Sequence, residues 1–440
     1  MPLELQPLDV GVRPIAAYRE LAGDAAVDAL EPLAAAIQGY RVLHLSAAAA
    51  GGGVSELLRA SAPLLRDLGV EVDWAVAYGV PEDVRAGRSL RDGLQGADQH
   101  WPDVAWDVWQ AEGARERPEF AGYDAVIAHD VLPLAFSRSP QAQASRWVWR
   151  CHLDASEPAQ DTWRRVGPLA GELDHAVFSM EAFVPPGLES PASVISPAID
   201  PLGPKNLPLP PAMVGSLGRW VGIDTDRPMI AHVVRLDVWK DPLGVIEAWE
   251  GAREKVPGLQ LVVVATLAPE DAQGWELISE ITAEAARRPD LHLLTGPIAA
   301  DSIVVNAVQR LARVLCQRSI REGFGLVCAE AMWKGTPVVA EAVGGIPEQV
   351  RDGTDGLLIE GVEQCAEAIA ELVADPAGTV GMGRSGYEHV RERFLLPRAL
   401  ADELRLYREL DMQGAPDFRA GATAPDADGA PSPPSATMDP

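Results

Sequence analysis

Short apolar runs, each ending in glycine, small or charged residues and followed by helical spacing, recur in two series along this chain. That alternation constrains the fold more than any other feature. Residues 41–46 are mostly apolar and end in small residues. Ala50-Gly51-Gly52-Gly53 follows, and then Val54-Ser55-Glu56-Leu57-Leu58 with the spacing of a helix. The order is strand, glycine loop, helix. Residues 70–77, 123–128, 147–151 and 176–179 read as further strands with helical stretches between them. Strands alternating with helices predict a parallel sheet covered on both faces.

A break follows. Residues 185–211 carry Pro185, Pro186, Pro191, Pro197, Pro201, Pro204, Pro208, Pro210 and Pro211, a composition expected of an interdomain connection. The alternation then restarts. Strands are predicted over 229–234, 261–265, 291–294, 314–317, 337–340 and 356–359, with a helix beginning at Pro242. The chain of 440 residues exceeds what one core supports, roughly 250–300 residues. The fold class expected is α/β, with two doubly wound halves: an N-terminal domain over 1–200 and a C-terminal domain over 201–395. A last helix occupies about 397–410, assigned with its flanks to 396–412. The remainder, 413–440, is rich in Ala, Pro, Gly and Asp and is expected to be disordered.

Charge narrows the partners. Lys and Arg number 37 against 64 Asp and Glu, a net charge of −27. Such a surface repels nucleic acid and anionic membranes, so neither is an expected partner, and an anionic ligand needs a local basic pocket. Cys151, Cys316, Cys328 and Cys365 match no zinc or redox spacing and are expected to be buried thiols in a reducing compartment. Met1 through Val10 show no secretory pattern, and no apolar run of about 18 residues occurs, so the expected location is cytoplasmic. A homodimer is left open.

Three groups of residues carry chemistry. Arg321-Glu322-Gly323-Phe324-Gly325-Leu326-Val327-Cys328-Ala329-Glu330 follows a predicted strand and opens a helix. Glycines there let a ligand approach the backbone, and a helix start suits phosphate. Read as helix, the spacing of Glu322 and Glu330 is a little over two turns, enough to reach both ends of an elongated ligand. A capped helix with exposed acids is the bland alternative. Arg235 and Lys240 follow the 229–234 strand, on the side where open α/β sheets bind ligands. They could neutralise a diphosphate leaving group; surface cations are the alternative. His129-Asp130 and His152-Leu153-Asp154 end two strands of the first half, where imidazole and carboxylate could bond sugar hydroxyls or move protons, or serve structure alone. Gly51 to Gly53 lack the spacing of a dinucleotide fingerprint or P-loop, which excludes an NAD enzyme and leaves a tight turn or a close approach to a ligand. Asp224-Thr225-Asp226 has an acid-x-acid spacing used for divalent ions, but a turn is the simpler account, so no metal is expected. Trp147, Trp149 and Trp163 are read as core.

These residues resemble a known family. Glu322 and Glu330, with seven residues between, are similar to the paired glutamates of retaining glycosyltransferase family four, and Arg235 and Lys240 to its diphosphate-binding pair. Gly51 to Leu57, His129-Asp130, Trp147 to Asp154, Ser196 to Pro201 and Glu330-Ala331-Met332-Trp333-Lys334 narrow the resemblance to the trehalose synthases of the glycosyl-transferring type, over about 17–410. The resemblance implies a GT-B fold with its site between the halves and the last helix crossing back to the first. It implies a donor of ADP-glucose or UDP-glucose, a glucose acceptor and no required cofactor. By it, His152 and Glu322 face the donor sugar, Arg235 and Lys240 hold the diphosphate, and Glu330 meets the ribose. Gly52, Gly53, Gly323, Phe324, Gly325 and Leu326 line the donor side, and His129, Asp130 and Asp154 the acceptor side. This chain departs at Val131-Leu132-Pro133, where relatives carry Pro-Gln-Pro, and has Pro347-Glu348 after Gly344-Gly345-Ile346, nearer the general family pattern. A family-four enzyme with another acceptor, a trehalose phosphorylase and a non-catalytic sugar-nucleotide-binding module stay open.

Overall fold

The computed structural model describes residues 4–49, 52–78, 89–97, 102–236, 238–267 and 272–413. Gly51, Asp237 and the tail beyond Gln413 lie outside the described residues. Among the described residues two sheets form. The first has seven strands in the order β1-β3-β2-β4-β5-β6-β7: β1 Glu4–Leu8, β2 Arg41–Ser46, β3 Glu71–Tyr78, β4 Ala125–His129, β5 Arg146–Arg150, β6 His175–Phe178 and β7 Ala192–Val194. The second has six in the order β10-β9-β8-β11-β12-β13: β8 Met229–Arg235, β9 Gln260–Thr266, β10 Leu291–Thr295, β11 Val314–Gln317, β12 Val338–Glu341 and β13 Gly356–Ile359. Apart from the β1–β3 pair, every pairing between these strands is parallel. Apolar clusters cover both faces of each sheet.

Two strands escape the sequence reading for the same reason. β1 contains Pro7 and pairs antiparallel along the sheet edge, where a missing N–H is tolerated. β7 lies inside the proline-rich stretch and adds an edge strand beside β6, so that stretch is partly sheet rather than all connection. Its later part is anchored too. Asp200 accepts from Arg13 and from the Tyr18 hydroxyl, and the Asn206 side chain donates to the Asp200 carbonyl.

The strand orders place the sites. In each sheet the order reverses beside one strand: between β2 and β4 in the first half, and between β8 and β11 in the second. Open α/β sheets bind ligands at the carboxyl ends of the strands flanking that reversal. β2 leads into Gly52 and Gly53 and β4 ends on His129; β8 ends on Arg235, and β11 leads into Ser319 and Glu322.

The final helix, Leu396–Met412, belongs in space to the first half. Leu396, Leu400, Leu404, Tyr407 and Leu410 recur at three- and four-residue intervals and are buried with Val42, Ile127 and Val148 of the first sheet. Each large apolar side chain so buried stabilises by about 1.5–3 kcal/mol. Immediately before the helix, Ile199 pairs with Leu395 where the chain passes between halves. Among the described residues no helix is long and apolar enough to cross a membrane.

Candidate active site

The second-half side of the site is built on the loops after β8 and β11. Lys240 precedes the helix Pro242–Lys255, whose N-cap Asp241 accepts from Gly244 N–H at 3.1 Å. Ile320 N–H donates to the Trp239 carbonyl at 2.7 Å, tying this loop to the one after β11. Lys240 Nζ donates to Glu322 Oε2 at 2.6 Å, and the Ser319 hydroxyl donates to the same oxygen at 3.0 Å. The carboxylate, only 9% exposed, is thus held by a cation and a hydroxyl.

Glu322 is not on the helix. The helix covers Leu326–Trp333, and Gly325 precedes it with φ +79°, a left-handed conformation that glycine adopts without strain. The two-turn spacing expected between Glu322 and Glu330 is therefore corrected: one acid sits in the loop and the other near the helix end. Gly345 N–H donates to the Gly323 carbonyl at 2.8 Å, and Gln349 donates to the Phe324 carbonyl, so a second glycine turn braces the loop from behind. Leu326 and Val327, in the first turn of the helix, line a cleft of about 590 Å³.

That cleft joins the halves. Arg235, Lys240, Leu326, Val327 and Glu330 line one side, and Gly52, Gly53 and Glu56 the other. Gly52 and Gly53 open the helix Gly53–Asp67, and a Cβ at either would meet nothing within 4 Å. The close approach lies elsewhere: a Cβ on Gly323 would fall 3.0 Å from the His152 carbonyl oxygen of the other half. Sequence reasoning passed over Lys205, which bridges the halves. Its Nζ lies 2.8 Å from Glu56 and 3.5 Å from Glu330. Burial opposes its charge, but Glu330 and Glu56 outweigh burial and hold the ammonium above its ordinary value.

The first half contributes histidines. Residues 44, 129 and 152 fall on one face of β2, β4 and the end of β5, because side chains alternate with period two. His44 Nδ1 lies 2.9 Å from His129 Nε2, and His129 Nδ1 lies 2.9 Å from His152 Nε2. The Tyr407 hydroxyl lies 3.3 Å from His44 Nε2. Both ring nitrogens of His129 bond within the protein, to His44 and His152. Asp130 likewise turns inward: at φ +58° it places Oδ1 to accept from His152 N–H at 3.1 Å. Asp154 accepts from Ser156 N–H and hydroxyl, a local turn. His44 and Tyr407 were not singled out in the sequence; the period-two pattern leading into β2 was the signal that could have found His44.

Burial holds all three imidazoles neutral. His44 is pushed down to about 3 by burial and then Arg150, and His152 to about 4 by burial against the pull of Asp130. His129 lies well below its usual value, through burial and then its neighbour His152. The unfolded chain titrates them at about 6.5, so below that pH it binds protons that the fold refuses. Stability therefore rises with pH across this window and is lost as pH falls from about 6.5 toward about 4. Thermal melts should show Tm dropping already between about 6.5 and 5, before carboxylates dominate. A flat Tm there would mean that the folded imidazoles protonate.

Asp224 accepts from Asp226 N–H in a turn before β8, at the opposite end of that strand from Arg235. Among the described residues no group of three or more His, Cys, Asp or Glu side chains is placed to hold a metal ion. Trp147 and Trp149 are core, and Trp163 packs against it. The four cysteines are buried and free.

Two facing α/β halves, with cations and acids gathered at one reversal point and histidines and glycines at the other, define a glycosyltransferase of the GT-B fold. Comparison with known proteins agrees. Residues 44–185 match the family model "Trehalose synthase, N-terminal domain", and residues 219–389 match "Glycosyl transferases group 1". The trehalose synthase of Rubrobacter xylanophilus is 39% identical over 92% of this chain and 99% of its own length. That of Pyrococcus horikoshii is 32% identical over 93% and 100%. Among solved structures, sucrose-phosphate synthase from Thermosynechococcus elongatus superposes with a TM-score of 0.64 at 21% identity, over 85% of this chain and 100% of that one. "Trehalose-6-phosphate from E. coli bound with UDP-2-fluoro glucose" superposes with 0.64 at 16% identity, over 85% and 98%. The chain belongs to the trehalose synthase family, and it is a hexosyltransferase.

Proposed function

We propose that the protein is a retaining enzyme that transfers glucose from ADP-glucose or UDP-glucose to free glucose, giving α,α-trehalose reversibly. The observation that carries this reading is the convergence of Arg235, Lys240 and Glu330 on one side of a cleft whose other side holds Gly52 and Gly53, with Glu322 bonded to Lys240. Two cations and a helix start suit a diphosphate in a chain otherwise strongly acidic. Glu330, near the helix end and beside Lys205, suits a ribose, and Glu322 the glucosyl hydroxyls. Relatives named trehalose synthase over nearly the whole length support the acceptor assignment.

In the reaction the bond from C1 to the diphosphate oxygen breaks while the acceptor hydroxyl oxygen bonds to C1 on the same face. The acceptor proton passes to the departing phosphate oxygen. Arg235 and Lys240 stabilise the charge that grows on that oxygen. His129 and Asp130 act on the sugars only by fixing His152. Asp154 closes the end of the His152 segment on the acceptor side, and no cofactor takes part.

Purified protein given ADP-glucose or UDP-glucose and glucose should release the nucleoside diphosphate and a non-reducing disaccharide. No disaccharide with any nucleotide would sink the reading. Cleavage of trehalose driven by inorganic phosphate alone would replace it with a phosphorylase. Glu330→Ala should raise the donor KM with kcat largely kept, as for a contact made equally in ground and transition states. A loss confined to kcat would assign Glu330 another role.

A further inference from the structure

The chain of side chains Tyr407, His44, His129 and His152 begins on the last helix and ends at His152, whose carbonyl lies against Gly323 of the other half. It has a direction. A neutral imidazole carries one N–H and one acceptor nitrogen. Rings bonded in series must therefore all donate the same way, and two arrangements exist. In one, Tyr407 O–H donates to His44 Nε2, His44 Nδ1–H donates to His129 Nε2, and His129 Nδ1–H donates to His152 Nε2. The proton of His152 then sits on Nδ1. In the other, every bond reverses, and His44 Nε2–H donates to the phenol oxygen.

The reversed arrangement leaves the phenol hydrogen needing another acceptor. Tyr407 is 1% exposed, and among the described residues its oxygen has His44 as its hydrogen-bond partner. A buried hydroxyl hydrogen without an acceptor is costly. The phenol is also held in its protonated form by burial and then Glu403. The first arrangement satisfies every group except the N–H at His152 Nδ1, and His152, unlike Tyr407, is only half-buried, so a ligand or water can meet that N–H. Nδ1 of His152 is the ring nitrogen with no hydrogen-bond partner among the described residues, and so the one left for a ligand.

We propose that Tyr407 is a positioning residue that, through His44 and His129, fixes His152 in the Nδ1–H tautomer, making it a hydrogen-bond donor to the sugar and not a base. In free histidine the proton favours Nε2, so the series imposes the less common form. The assignment deepens the transferase reading, on which its kinetic part rests: a donor at that position leaves proton removal to the departing phosphate. It also gives the last helix a part in the site beyond packing.

The test is ¹⁵N NMR of protein labelled at histidine, in which two-bond proton–nitrogen correlations separate the tautomers. His152 is identified among the eight histidines by its loss in His152→Asn. The wild type should show His152 neutral with its proton on Nδ1. Tyr407→Phe keeps the ring and removes the O–H, and should return His152 toward the Nε2–H form. Turnover should fall about tenfold to a hundredfold, the scale for an outer partner that orients a functional imidazole. An Nε2–H His152 in the wild type overturns the proposal, as does Tyr407→Phe with an unchanged His152 spectrum. Should Tyr407→Phe not fold, the wild-type spectrum decides alone. A wild type without transferase activity that still shows the Nδ1–H form would defeat the proposed reaction and leave the tautomer assignment standing.

Discussion

Replacing Lys240 with alanine is expected to lower kcat/KM for a nucleoside-diphosphate glucose by about 10²–10³-fold, the usual effect of removing one preorganised charge contact from a site that excludes water. Two losses combine. The ammonium that would meet the diphosphate disappears, and Glu322, now bonded to it at 2.6 Å, keeps its negative charge beside the incoming anion. Arg235 remains at the end of β8, but one cation does not carry the charge of two. Lys240→Arg should recover part of the activity, since the charge returns with a different shape. Steady-state kinetics with both donors provide the check, and near-normal turnover in Lys240→Ala would remove the diphosphate role.

The second large effect is on stability. Arg150 ends β5 and forms an ion pair with Glu403 of the last helix, with side chains 6% and 3% exposed. Glu403→Ala should lower the unfolding free energy by about 3–5 kcal/mol, because it strands a guanidinium where water cannot reach it. Chemical denaturation followed by far-UV dichroism should show an earlier midpoint. Glu403→Gln, which keeps an acceptor, should cost less. If Glu403→Ala unfolds like the wild type, water or another acid must reach Arg150. His152 lies two residues beyond Arg150, so a surviving variant should also lose turnover.

Much of this architecture was legible in the residues. The interior strands are short apolar runs buried on both faces, and their starts and ends fell within a residue or two of the reading. β1 and β7 were not legible, because Pro7 and Pro191 argue against strand unless the strand is known to be an edge. The cations and acids were legible as types placed after strands. Their joining was not: Lys240 and Glu322 are 82 positions apart, and nothing local says that they share a proton-rich contact. His44 had no neighbour in sequence to mark it, and Tyr407 is 363 positions away from it. Only strand register and the return of the last helix bring them together. The helical spacing read for Glu322 and Glu330 failed because Gly325 starts the helix later than the motif does.

The position of the last helix has a consequence for how the chain is made. The face of the first sheet that it covers is complete in sequence by β7, yet its cover is synthesised about two hundred residues later. At about 5–20 residues per second, a ribosome needs about 10–40 s to cover that distance. Throughout that interval Val42, Ile127 and Val148 lack the Leu396, Leu400, Leu404, Tyr407 and Leu410 side chains that share their cluster. The first half is thus the earliest to be translated and among the last to be closed, and a ribosome stalled in the second half would release a sheet with an open apolar face.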